Sequence, residues 1–167
     1  MSEQLLYLDT ETTGISSQSH TIVEIAIVDD SGRALLNTLV NPGRPIPPDA
    51  RAIHGIDEVM VLGAPTLAEL WPNIRAVVSG AHVVIYNADF DRKFFPDRLG
   101  CGSRISCAML EFARRYGVRD AYRGTYRWHK LDFAARHVDH RWTGDAHRAL
   151  SDALACRSVW RWLTQGN

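Results

Sequence analysis

No run in this chain approaches the roughly 18 to 20 consecutive apolar residues that a membrane-spanning helix needs, which excludes an integral membrane protein of that kind. Cysteine is scarce. Cys101, Cys107 and Cys156 are odd in number and form no CxxC pair, so neither a disulfide framework nor a structural zinc site is expected. The start, Met1-Ser2-Glu3-Gln4, lacks the basic residues and apolar stretch of a secretory signal, and a cytoplasmic location is the resulting expectation. Internal repeats and low-complexity segments are absent as well. Net charge is also missing, with 19 basic residues against 19 acids, but its distribution is lopsided. Residues 1–60 hold three basic side chains and nine acids, whereas residues 92–167 hold fifteen and seven. An acidic pole beside a basic face suits a metal site that serves a polyanion, although a solvated surface accounts for the charge alone.

At 167 residues the chain is long enough for one well-buried core and short for two, so a single domain over 1–167 is expected. The apolar run Leu5–Leu8 reads as a buried strand. Residues 21–28 and 34–40 read as two more, joined by the turn 29–32, and with the first they suggest an antiparallel meander. Asn41 to Pro48 breaks regular structure, after which Asp49 can cap a short helix reaching about His54 that Gly55 ends. Residues 66–78 have helical spacing with Thr66 as cap and Pro72 as a limit or kink. A strand at 81–86 leads into a helix capped by Asn87 and carrying Asp91, Phe94 and Phe95. A short strand at 104–106, a helix ended by Gly117, a loop at 118–128, a helix at 130–137 and a last helix from about Ala146 to Leu163, capped by Asp145, complete the reading. Such an order gives an α/β fold: a mixed sheet with helices on its faces, where ligands gather beyond the carboxyl ends of central strands.

Asp9 and Glu11 occupy that position. Side chains two apart on a strand share a face, so the two carboxylates project together and repel unless a cation lies between them. A polar turn closed by Gly14 is the alternative. Asp89 and Asp91 follow the strand at 81–86. For Asp89 the favourable helix N-terminus is reason enough, but Asp91 aligns with Phe94 and Phe95 on the buried side, where a carboxylate needs a cation. On the last helix, Leu150, Leu154 and Val159 mark the apolar side and Asp152 lies near its edge. His147, in the first turn, has the one side chain whose ordinary pKa, about 6.5, suits proton transfer at neutral pH. The His-x5-Asp spacing alone also describes a plain surface helix.

Taken in order, Asp-Thr-Glu-Thr-Thr-Gly at 9–14, Asn-x-x-Phe-Asp at 87–91 and His-Arg-Ala-x-x-Asp at 147–152 resemble the three motifs of the DEDDh exonucleases. Arg44-Pro45-Ile46 and Ala52-Ile53-His54-Gly55-Ile56 resemble the loop and helix before the second motif, most of all in exonuclease X and the proofreading epsilon subunit of bacterial DNA polymerase III. The resemblance implies an RNase H-like fold, with the first three strands antiparallel and the later ones parallel. It makes Asp9, Glu11, Asp91 and Asp152 the metal-binding acids, Asp9 and Glu11 bridging two ions, and His147 the general base. Ile53 and His54 fall where the terminal nucleotide is packed, and Thr10, Thr12, Asn87 and Phe90 are further positioning candidates; a helix-end role is the alternative for His54. Tyr86 and Asp89 depart from the pattern.

Two divalent ions about 3.5 to 4 Å apart can hold a scissile phosphate and activate water, and an all-oxygen donor set favours Mg²⁺ or Mn²⁺. The implied activity is 3′ to 5′ hydrolysis that releases 5′ mononucleotides from single-stranded or frayed ends, DNA being favoured over RNA. RNA 3′-end trimming is the close alternative, and a non-catalytic nucleic-acid-binding module a more distant one. Basic residues from Arg114 to Arg141, interleaved with Tyr122, Tyr126 and Trp128, suit a single strand or equally an ordinary basic surface. Trp160 and Trp162, two apart on one helix, face different sides, which would leave one free for a second copy. Docking to a larger replication or repair assembly through the surface is a further expectation.

Overall fold

The structure, a computed structural model, describes residues 3–145 and 147–165. Strands β1 (Leu5–Thr12), β2 (Ile22–Asp29) and β3 (Ala34–Leu39) form an antiparallel meander, and β4 (His82–Ile85) and β5 (Arg104–Cys107) add in parallel beside β1. The sheet order is β3-β2-β1-β4-β5, which leaves β1 at the centre. Alternation along β1 sends Leu6 and Leu8 to one face and Tyr7 to the other, so Asp9 and Glu11 share the side of Tyr7. Among the described residues, no helix is long and apolar enough to cross a membrane.

Helix α3 (Leu67–Val78) covers the Leu6 face with Leu70, Ile74 and Val78. Thr66 and Glu69 cap it reciprocally, and Pro72 is accommodated inside it. Between β3 and α3, α1 (Pro48–His54) and α2 (Glu58–Val61) shelter a small cluster around Val23, Ile46 and Ile56. Gly55 ends α1 at φ 70°, but Pro47, not Asp49, holds the cap position, and no side chain caps it. Pro48 opens the helix instead, since its missing N–H belongs to an end that needs no partner.

The Tyr7 face is covered by α5 (Ala108–Tyr116), α6 (Leu131–His137) and α7 (Ala149–Thr164). Helix α7 buries Ala149, Ala153, Cys156 and Trp160 at helical spacing, so small side chains let it lie close over Tyr7, Ala26 and Val84. Of the residues expected on its apolar side, Val159 is fully buried, and Leu150 and Leu154 flank the stripe, partly buried against the same cluster. The start of α7 also differs from expectation. His147 has φ 60°, which a right-handed helix cannot contain, and Arg148 rather than Asp145 stands at the cap. Ala146, the expected first residue, lies outside the described residues.

Three further expectations need correction. After β4 the chain makes one turn, α4 (Ala88–Asp91), and a 3₁₀ turn over Arg92–Phe94, because Phe95 precedes Pro96 and is driven to extended backbone. Asn87 precedes α4 without capping it through its side chain. Residues 118–128 contain a small hairpin, β6 (Arg119–Asp120) paired with β7 (Thr125–Tyr126). Both tryptophans of α7 make contacts within the chain: Trp160 packs edge-on against His82, and the half-buried Trp162 packs against Phe112 beneath Arg115.

Phe112 is fully buried among the rings of Tyr116, Phe133, His137 and Trp162. Phe112→Ala should cost about 3 to 5 kcal/mol, read from urea unfolding monitored by circular dichroism.

Candidate active site

Three carboxylates meet at the exit of β1. Asp9, Glu11 and Asp152 each offer an oxygen, and these ligand atoms all lie within 4.8 Å of one another. The strand supplies two of them by its period of two, and the first turn of α7 supplies the third from above the same face. Asp91 stands next to this trio, buried, and accepts a hydrogen bond from the Thr10 hydroxyl at 2.7 Å. Thr10 points to the opposite side of β1 from its neighbours and so ties the second motif to the first.

Crowding and burial raise all four acids. Burial is the largest cause for each, and mutual repulsion adds to it. Glu11 is pushed up to about 8, Asp91 to about 7 and Asp152 to about 6, while Asp9 lies well above the ordinary carboxyl range. Thr10 opposes the rise at Asp91, and His147 opposes it at Asp152. Hard oxygen donors held this close, each destabilised as an anion, fit a divalent cation. No Cys or His is part of the trio, so the donor set does not suit a zinc site of the thiolate or imidazole kind.

His147 is exposed at the turn before α7, and its backbone N–H donates to Asp152 Oδ1 at 3.3 Å. Thr10, Thr12, Ile53, His54 and Phe90 line one cleft of about 460 Å³ together with Glu11. Ile53 is 60% exposed, presenting its side chain to solvent at the cleft. His54 is buried: its Nδ1 accepts from the Ile56 N–H at 3.0 Å, which assigns the proton of the neutral ring to Nε2. That Nε2 has no hydrogen-bond partner among the described residues. Burial lowers the His54 pKa, keeping the ring neutral and Nε2 a donor. Asn87 and Asp89 line an adjoining groove, and Phe90 borders both depressions. Tyr86 is structural, its hydroxyl donating to the His129 carbonyl at 2.8 Å.

One component was not foreseen. Glu24 on β2 is registered opposite Glu11 and is buried. Arg148 meets it with Nε at 3.1 and 3.0 Å and Nη2 at 2.6 Å, and the Ala149 N–H donates to it at 2.9 Å. Glu24 therefore caps α7 from the neighbouring strand and holds Asp152 over Glu11. The signal was an acid inside the apolar run Ile22–Val28, which a buried strand tolerates only with a cationic partner.

The sequence profile of the family described as "Exonuclease" matches residues 6–159. An uncharacterized exonuclease CP81 of Escherichia phage 186 is 37% identical, over 99% of this chain and 91% of its own length. Exodeoxyribonuclease 10 of Escherichia coli K12 is 35% identical over 89% of this chain and 63% of its own length. The structure of exonuclease X in complex with 5′ overhanging duplex DNA superposes with a TM-score of 0.71 at 30% identity, covering 96% of this chain and 91% of that one.

Arg148→Ala should cost about 2 to 4 kcal/mol in urea unfolding, because it leaves the buried Glu24 carboxylate facing Glu11 without a counterion. The carboxyl pKa values give a second outcome. Unfolded carboxyls titrate near about 4, so groups raised to between about 6 and 8 favour the fold at low pH and lose that contribution as pH rises through the raised values. Metal-free protein should therefore show a falling Tm from about pH 5 to pH 8.5. Mg²⁺ or Mn²⁺ should restore more at the upper end, and Glu11→Gln with Asp152→Asn should flatten the profile, all read by scanning fluorimetry.

Proposed function

The chain belongs to the exonuclease family, and from that premise we propose that it is a divalent-metal-dependent 3′ to 5′ exonuclease that releases 5′ mononucleotides, with DNA as its favoured polymer. The observation that carries this reading is the meeting of Asp9, Glu11 and Asp152 at one end of the cleft lined by Ile53, His54 and Phe90. The cleft's volume suits one nucleotide, and it closes around the end of β1, so a terminal residue enters base first with its phosphate towards the carboxylates. Ile53 and Phe90 supply apolar contact, and the buried His54 ring backs the same cleft from behind Thr12.

Asp9, Glu11 and Asp152, with Asp91 beside them, would hold two Mg²⁺ or Mn²⁺ ions, which when bound supply charge neutralisation at the scissile phosphate and a lowered pKa for water. His147, the general base, accepts the proton of the water that attacks phosphorus. Its backbone bond to Asp152 fixes the turn from which the imidazole reaches, while its exposure lets the proton pass on to solvent. Thr10 fixes the Asp91 carboxylate. The whole chain acts as one catalytic unit in this reading, and the similarity to an exodeoxyribonuclease supports DNA over RNA.

The test is digestion of 5′-labelled and 3′-labelled single-stranded DNA, duplex DNA and RNA with Mg²⁺, resolved by product size. Successive shortening from the 3′ end with mononucleotide release is expected, fastest on DNA. Internal fragments would make the protein an endonuclease, faster RNA decay would make it a trimming exoribonuclease, and binding without release would make it a non-catalytic module. Glu11→Gln and His147→Ala should each lower kcat by at least about 100-fold with the fold retained, and undiminished release from either overturns the assignment of roles.

A further inference from the structure

The β6–β7 hairpin carries aromatic rings that the core does not use. Tyr122 at its tip is fully exposed, and Trp128 just beyond β7 is 47% exposed. The turn is nevertheless firmly built. Asp120 Oδ1 accepts from the N–H groups of Tyr122 and Arg123 at 3.0 and 3.1 Å, and Gly124, at φ 65°, donates to the Asp120 carbonyl at 3.1 Å. The Arg127 N–H closes the base on Val118 at 2.8 Å.

Cations are stacked on these rings. The Arg123 guanidinium lies 4.6 Å from the centre of Trp128, and that of Arg119 lies 4.5 Å from Tyr126. With Arg127 and Lys130, four basic side chains stand against the single acid Asp120 over residues 118–130. Trp128 also reaches back to the catalytic end of the sheet. It forms a wall of the groove of about 310 Å³ that Asn87, Lys93 and Met109 share, and Phe90 separates this groove from the cleft at Glu11. Asp89 adds one anion to the lining of that groove, against the cation of Lys93.

We propose that the hairpin and its groove form a platform for the nucleotides 5′ to the terminal one, bases stacking on Trp128 and Tyr122 while Arg119, Arg123 and Arg127 meet the phosphates. Every base has a face to stack, and the groove opens beside the cleft, so a single strand of several nucleotides passes from one to the other without a bend into the core. The direction assigned to the strand rests on the 3′ to 5′ reading.

The experiment has two arms. Fluorescence anisotropy of a labelled dT octamer in Ca²⁺ measures binding, and kcat/KM on dT2, dT4 and dT8 in Mg²⁺ measures length dependence. Wild type should gain with length, and Tyr122→Ala combined with Trp128→Ala should lose most of that gain and bind the octamer at least about tenfold more weakly. Arg119, Arg123 and Arg127 changed together to Gln should reduce the slope of binding against salt by about two to three. Unaltered octamer binding in both variants overturns the platform, and so does a changed oligomeric state with octamer binding intact, which would make the hairpin a protein interface. If wild type releases nothing from any oligonucleotide, the exonuclease reading fails, and the anisotropy arm still decides the platform.

Discussion

Glu24 and Arg148 hold together the two halves of the catalytic constellation. Asp9 and Glu11 come from the first strand, Asp152 from the last helix, and about 140 residues of chain separate them. Their mutual repulsion opposes the meeting. A bidentate ion pair, sheltered beside Glu11 and extended by the Ala149 N–H, pins the helix start to the sheet and sets a positive charge against the acids. Small side chains at Ala149, Ala153 and Cys156 complete the approach by removing bulk between α7 and the sheet.

The same strand register divides the labour of the site. Odd positions of β1 face α7 and gather the acids, whereas Thr10 faces the other way and fixes Asp91 at the exit of β4. Parallel pairing of β1 with β4 brings both strand exits to one edge, the usual location of ligands in such sheets. Helix α1, packed on its own small core, then lays Ile53 and His54 across that edge. The cleft is thus lined from the end of β1, from α1 and from Phe90 of α4.

Much of this was legible. Apolar, strand-forming runs at 5–8, 21–28 and 34–40 and the helical spacing from a Thr66 cap at 66–78 are local patterns that tertiary contacts had no cause to override. The three acidic motifs were legible because each follows an apolar strand or opens a helix. What could not be read were features decided by contacts distant in sequence. The delayed start of α7 depends on the left-handed His147 and on a cap donated from β2, and helical spacing has no access to either. Likewise the segment 118–128 read as loop because a hairpin with two residues per strand is too short for any periodicity.

The sequence by itself determined which groups are available: hard oxygen ligands placed at strand and helix ends, one histidine beside the last of them, a mixed α/β order, and cations interleaved with rings late in the chain. Tertiary structure alone decided which of these meet. It drew Asp9, Glu11 and Asp152 into one trio with Asp91 at its side, buried the His54 ring behind the cleft, and turned Tyr122 and Trp128 outward. The reason is that side-chain chemistry is local, whereas burial, repulsion and the partners that relieve it are properties of packing between segments far apart in the chain.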